Sequence, residues 1–127
     1  MAAIGGGKTV LVVDDDESLR ILCRIKLELD GYHVLDAASI EDARTALAAG
    51  PVDAILLDLH VGDDDGKQLL TSLGETRPRV ALFTGSEVIN PELRELADAV
   101  LSKPLGIERL SETVGRLIEG PGGRFAA

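Results

Sequence analysis

Five short apolar runs alternate along the chain with amphipathic stretches, and this alternation limits the possible folds more than any other feature. The runs are TVLVV (9–13), HVLDA (33–37), DAILLDL (53–59), RVALFTG (79–85) and AVLSKP (99–104). Helical periodicity fills the intervals. ESLRILCRIKLELDG (17–31) brings Leu19, Leu22, Cys23, Lys26 and Leu27 round at helical spacing, and Gly31 can end that helix. Ser39 offers an N-cap to IEDARTALAAG, with Asp42 three residues on as a weak capping box. The turn VGDDDG (61–66) leads into KQLLTSLGE, and NPELRELAD (90–98) has Asn90 as a cap and Pro91 at the first helical position. IERLSETVGRLIEG (107–120) is the last helix. Such a series of βα units predicts an α/β domain whose parallel sheet is covered on both faces.

A chain of 127 residues is long enough for one domain with a real core, spanning 9–119, with 1–8 a loose start and 120–127 a loose, glycine-rich tail. The hydrophobic fraction of 45% is almost wholly aliphatic, since the chain has one Tyr, two Phe and no Trp. No apolar run approaches the ~20 residues that span a bilayer, and no signal pattern precedes Lys8, so a soluble cytoplasmic protein is expected. Thirteen basic residues against 22 acidic ones give a net charge of −9. With no Lys/Arg cluster to meet phosphates, a nucleic-acid surface is not expected; a divalent cation or a basic partner face suits the charge better. The single cysteine, Cys23, excludes an internal disulfide and reads as core.

Ligands of open parallel sheets bind outside the carboxyl ends of the strands. In this chain the first run ends in Asp14 and Asp15, the third in Asp58, the fourth in Thr84 and the fifth in Lys103 and Pro104. Three carboxylates, a hydroxyl and an ammonium group therefore converge on one edge. Asp16 and Glu17, although contiguous with the first pair, fall where the first helix begins and favour its dipole.

The motifs VVDDDE, ILLDLHVGDDDG, LFTGS and LSKP, in this order and each at a strand end, resemble the receiver domain of bacterial two-component response regulators over roughly residues 9 to 119. The resemblance implies a flavodoxin-like, doubly wound five-stranded parallel sheet of order 2-1-3-4-5. It implies that Asp58 is the phosphoacceptor, that Asp14 and Asp15 hold a Mg²⁺ ion together with Asp58 and the backbone carbonyl of His60, and that Thr84 and Lys103 contact the phosphoryl group. Lys103-Pro104 matches the family's cis peptide. The implied partners are a histidine kinase or phosphotransfer protein and a downstream protein target, with the chain a monomer or weak dimer. It would be a stand-alone regulator or a receiver from a longer protein such as a hybrid kinase. It would be no enzyme beyond its own phosphorylation and dephosphorylation.

Physical chemistry agrees with these roles. Mg²⁺ prefers oxygen ligands, usually one or two carboxylates with waters and a phosphate oxygen. Three carboxylates against one divalent ion and one lysine sum to zero charge. A loose phosphoryl-transfer transition state carries its charge on the equatorial oxygens, which suits a metal on one side and an ammonium on the other.

Other readings of the same residues fare worse. GDDDG invites a calcium loop, but aligning Gly66 with that loop's glycine puts Val61 and Ser72 where ligands belong. GGGKT invites a P-loop, but Ala2 stands where the first glycine belongs and no strand precedes it. A haloacid-dehalogenase-like phosphatase also uses a strand-end Asp, yet it wants an acid where His60 stands. A receiver-like module that is never phosphorylated is the other alternative, and the complete acidic set argues against it. The family position of His60 borders the path of attacking water. Two departures from the family pattern stand out. Val100 occupies the switch position where an aromatic ring is usual, and a β-branched side chain has little rotamer choice. The span from Thr84 to Lys103 is also shorter than usual for the family, which predicts a short or irregular fourth helix.

Overall fold

In the computed structural model the described residues are 7–58, 60–61, 64–73, 78–84, 91, 95, 97–102, 109–119 and 125–126. The main strands are β1 (Thr9–Val13), β2 (His33–Ala37), β3 (Ala54–Leu57), β6 (Arg79–Thr84) and β7 (Ala99–Ser102). A small antiparallel pair, β4 (His60–Val61) with β5 (Asp64–Asp65), follows β3, and β8 (Phe125–Ala126) lies beside β7. The helices are α1 (Glu17–Leu29), α2 (Ile40–Ala49), α3 (Gly66–Ser72) and α4 (Leu110–Glu119).

The main sheet runs β2-β1-β3-β6-β7-β8 and every pairing in it is parallel. Its five long strands, counted along the chain, have the expected order 2-1-3-4-5. The sixth strand is additional. The expected loose tail contains Phe125–Ala126, which take the place that one more βα unit would give them. At the other terminus, the expected loose start includes Gly7 and Lys8, and both are held: the Gly7 amide donates to the carbonyl of Gly31 in the turn after α1 at 3.3 Å, and the His33 amide of β2 donates to the Lys8 carbonyl at 2.8 Å. The helix expected over 90–98 and the turn residues Gly62 and Asp63 lie mostly or wholly outside the described residues.

Strand alternation builds two cores. Val10 and Val12 face one side of the sheet with Cys23 and Leu27 of α1 and Val114 of α4. Leu11 and Val13 face the other with Ala43 of α2 and Leu69 of α3. A central strand is buried on both faces, which is why its sequence is continuously apolar. Cys23 is buried core, as expected. Helix α1 buries Cys23 and Leu27, packs the partly buried Leu19 against the same core, and turns Leu22 outward. Its end follows from Gly31, whose φ of +94° suits a residue without a Cβ. The Gly31 amide donates to the Glu28 carbonyl and the Tyr32 amide to that of Leu27, both at 3.1 Å, a Schellman closure.

Candidate metal centre

Asp14 follows β1 and Asp58 follows β3, on adjacent strands of the sheet. Backbone bonds hold both: the Asp14 amide donates to the Ala37 carbonyl at 3.1 Å and the Asp58 amide to the Val13 carbonyl at 2.9 Å. These bonds continue the parallel ladders one residue past the strands, so both carboxylates leave the sheet at the same level. Asp14 is 2% exposed and Asp58 8%, while Asp15 is exposed. One carboxylate oxygen from each of Asp14, Asp15 and Asp58 lies within 4.8 Å of the other two.

Crowding three carboxylates, two of them buried, is costly without a cation, because like charges repel and burial strips their hydration. An oxygen-only donor set of this kind matches a hard divalent cation such as Mg²⁺ or Ca²⁺ and does not resemble the His/Cys sets of zinc sites.

The surrounding backbone fixes the cluster. The Asp16 amide donates to Asp14 Oδ1 at 2.9 Å, and the Arg20 guanidinium donates through Nη1 to the Asp14 carbonyl at 2.8 Å. Asp16 is the N-cap of α1, its Oδ1 accepting from the Leu19 amide at 3.2 Å, and Glu17 lies in the first turn. The run of four acids is thus divided between a metal-type cluster and a helix start. Arg20 is the contributor that sequence reasoning missed; its only sequence signal is a position one turn into the helix that follows the acidic pair.

Of the other site residues expected from sequence, Thr84 is the last residue of β6 and pairs in register with Ser102 at the end of β7. Lys103 and Pro104 come next in the chain and lie outside the described residues. His60 stands in β4, two residues after Asp58, with its backbone paired opposite Asp65. Val100 sits in β7, half-buried, against the core on the α2/α3 side.

The model of the response regulator receiver domain family matches residues 10–115. The chain belongs to this family. It is a receiver domain of the two-component type, and neither the phosphatase nor the unphosphorylated-module reading is favoured. Among curated relatives, the KDP operon transcriptional regulatory protein KdpE of Escherichia coli K12 is 34% identical over 105 residues, covering 80% of this chain and 47% of that protein. The sensor kinase CckA of Brucella abortus is 32% identical over 123 residues, covering 91% of this chain but 13% of the kinase. The chain therefore spans less than half of either relative. Among solved structures, the response regulator TrrA of Thermotoga maritima in complex with Mg²⁺-BeF superposes with a TM-score of 0.77 at 26% identity, covering 87% of this receiver and 98% of that chain. No helix among the described residues is long and apolar enough to cross a membrane.

Proposed function

We propose that Asp58 accepts a phosphoryl group from a phosphohistidine of a histidine kinase or phosphotransfer protein. In this reading Asp14, Asp15 and Asp58 hold a Mg²⁺ ion with the backbone carbonyl of His60, and Thr84 and Lys103 contact the phosphoryl oxygens. The observation that carries it is the cluster itself: carboxylate oxygens of Asp14, Asp15 and Asp58 within 4.8 Å of one another at the carboxyl edge of a parallel sheet. The Mg²⁺-BeF complex of TrrA, a receiver of the same fold, supports the choice of ion and chemistry.

The step balances simply. A carboxylate oxygen of Asp58 forms a bond to phosphorus, the phosphorus–nitrogen bond of the donor breaks, and the imidazole leaves with the electron pair of that bond. Bound Mg²⁺ supplies positive charge to the oxygens on which negative charge accumulates. The chain's own part is positioning. Ladder bonds beyond β1 and β3 hold Asp14 and Asp58 at one height, and the Asp16 amide orients the Asp14 carboxylate. Hydrolysis of the resulting acyl phosphate returns Asp58, and His60, two residues on, is placed in this reading to tune that rate. His60→Ala is expected to change the dephosphorylation rate at fixed Mg²⁺.

The donor has to approach over the elements that border the site. Helix α1 begins two residues after Asp15, and its outer face carries Ile21, Leu22, Ile25 and Leu29, each about half exposed or more. An apolar stripe at this spacing fits against a partner helix, so α1 is the proposed landing surface for the phosphodonor. The decisive experiment is incubation with Mg²⁺ and acetyl phosphate, followed by intact mass. The wild type is expected to gain one phosphoryl group and Asp58→Ala none; equal labelling of the two would refute the assignment.

A further inference from the structure

The three acids of the cluster are not held equally. Asp14 is buried, its amide bonded to the Ala37 carbonyl and its Oδ1 to the Asp16 amide, and the Asp58 amide is bonded to the Val13 carbonyl. Asp15 is exposed, and among the described residues its side chain, amide and carbonyl make no hydrogen bond of their own. What fixes it is the peptide that joins it to Asp14, whose carbonyl accepts from Arg20 Nη1 at 2.8 Å. A peptide group is planar, so holding that carbonyl also holds the Asp15 amide and the direction in which the chain enters Asp15.

Arg20 stands where the helix alone gives a cation no reason to be. It lies one turn into α1, four residues after the Asp16 cap, and its amide donates to the Asp16 carbonyl at 3.0 Å. The amino end of a helix carries positive partial charge and favours acids over guanidinium groups. Helical side chains lean toward that end, so a long one starting here reaches back over the cap to Asp14. Arg20 is half-buried, and its charge does not change with pH.

We propose that Arg20 is a positioning residue of the cation site, which by pinning the Asp14–Asp15 peptide sets the exposed Asp15 carboxylate against the two buried ones. This rests on the reading of the cluster as a Mg²⁺ site. Arg20 itself gives the ion no ligand atom, since a guanidinium has only donors. Its two effects on Mg²⁺ oppose each other. Its charge repels the ion, so by electrostatics alone its loss tightens binding. Its hold on the peptide orients a ligand, and loss of groups that orient metal ligands weakens binding by about tenfold or more. The second effect is expected to win, because solvent and salt screen a partly exposed charge and do nothing to restore a ligand's direction.

The test is a titration of the full chain with Mg²⁺ alone, followed by amide NMR shifts. It compares the wild type, Arg20→Met, Asp15→Ala and the two substitutions together. Arg20→Met keeps an apolar stem and removes every donor. It is expected to raise the Mg²⁺ dissociation constant about tenfold in the wild type and less than about twofold beside Asp15→Ala, where no carboxylate is left to position. Arg20→Lys keeps a charge and a donor but loses the planar fork, and is expected to fall between wild type and Arg20→Met. Urea midpoints without Mg²⁺ read folding separately; should Arg20→Met unfold there, Arg20→Lys decides by the same comparison in the two backgrounds. Unchanged or tighter binding in the Arg20 variant overturns the positioning role. So does an equal loss with and without the Asp15 carboxylate, which a general weakening of the fold would give. A wild type that binds no Mg²⁺ overturns the cation site itself, and the proposal with it.

Discussion

The two ends of the sheet use the same residue in opposite ways. At the amino end, Asp53 precedes β3 and Asp98 precedes β7. Asp53 Oδ2 accepts from the Thr9 amide at 2.8 Å, and Asp98 Oδ2 accepts from the Val80 amide at 2.8 Å while Oδ1 faces Arg79 Nη1 at 3.5 Å. Each carboxylate there joins its own strand to a neighbour. At the carboxyl end, Asp14, Asp15 and Asp58 crowd one another, even though Asp14 Oδ1 also accepts from the Asp16 amide. Aspartates that join strands through backbone amides stabilise the fold, whereas the mutual repulsion of clustered aspartates opposes it and is relieved by a cation. The difference separates the residues that build this receiver from those that work in it.

The largest expected effect is all-or-none and belongs to the carboxyl end. Asp58→Ala abolishes labelling by acetyl phosphate while leaving the thermal transition in place, because the substitution removes one of three repelling acids. Loss of folding in this variant would erase the contrast between the two ends.

The next effect is the response to metal. A ligand that binds only the folded state at a hundred times its dissociation constant stabilises by about 2.7 kcal/mol, and a tenfold weaker site by about 1.4 kcal/mol. Mg²⁺ is expected to raise the urea midpoint of the wild type on the larger scale and that of Asp15→Asn on the smaller. Without Mg²⁺ the order reverses, since the variant has lost a repulsion and is the more stable of the two. Equal midpoints with and without Mg²⁺ in both chains would show that the cluster is no cation site.

At the amino end the expected signs are opposite. Asp98→Ala leaves the buried Val80 amide without its acceptor and costs about 2 kcal/mol. Asp53→Ala, at a more exposed position, costs about 1 kcal/mol. Neither is expected to change the response to Mg²⁺, as read by the same urea series. A metal response that fell with Asp98→Ala would mean that the two ends are not independent.

Much of the carboxyl end is legible in the amino-acid sequence. Strand runs and the position of Asp14, Asp15 and Asp58 at strand ends follow from periodicity and from where sheets of this kind bind ligands, whereas the strand order 2-1-3-4-5 is implied by the resemblance to receiver domains. Asp16 is separable from them as a cap because a helix pattern starts there. The amino end is not legible in the same way, although the chain repeats Asp-Ala ahead of two apolar runs, Asp53-Ala54 and Asp98-Ala99. An aspartate beside a strand has the same letter whether it joins strands or binds metal, and only the sheet register says which amide it meets. Leu22 is hard to place for a related reason. Its spacing fits the inner face of α1, but the sheet and α4 cover only the strip through Leu19, Cys23 and Leu27. Phe125–Ala126 are hidden by the glycines before them, since a two-residue strand has no period to detect.

The smallest expected effect on stability comes from the outward face of α1, and it sharpens the comparison by adding a region that belongs to neither end. Ile25 is 52% exposed and Leu29 78%. Both side chains stand outside the two buried cores, so replacing both with Ser is expected to change stability by no more than about 0.5 kcal/mol. Labelling by acetyl phosphate, which needs only the carboxyl end, is expected to be unchanged. Phosphotransfer from the cognate kinase needs a protein to sit beside that end, and its rate is expected to fall about tenfold or more, as loss of apolar anchors does at other interfaces. A variant whose two rates fall together would place the defect in the acid cluster, and one whose two rates both hold would move the landing surface off α1.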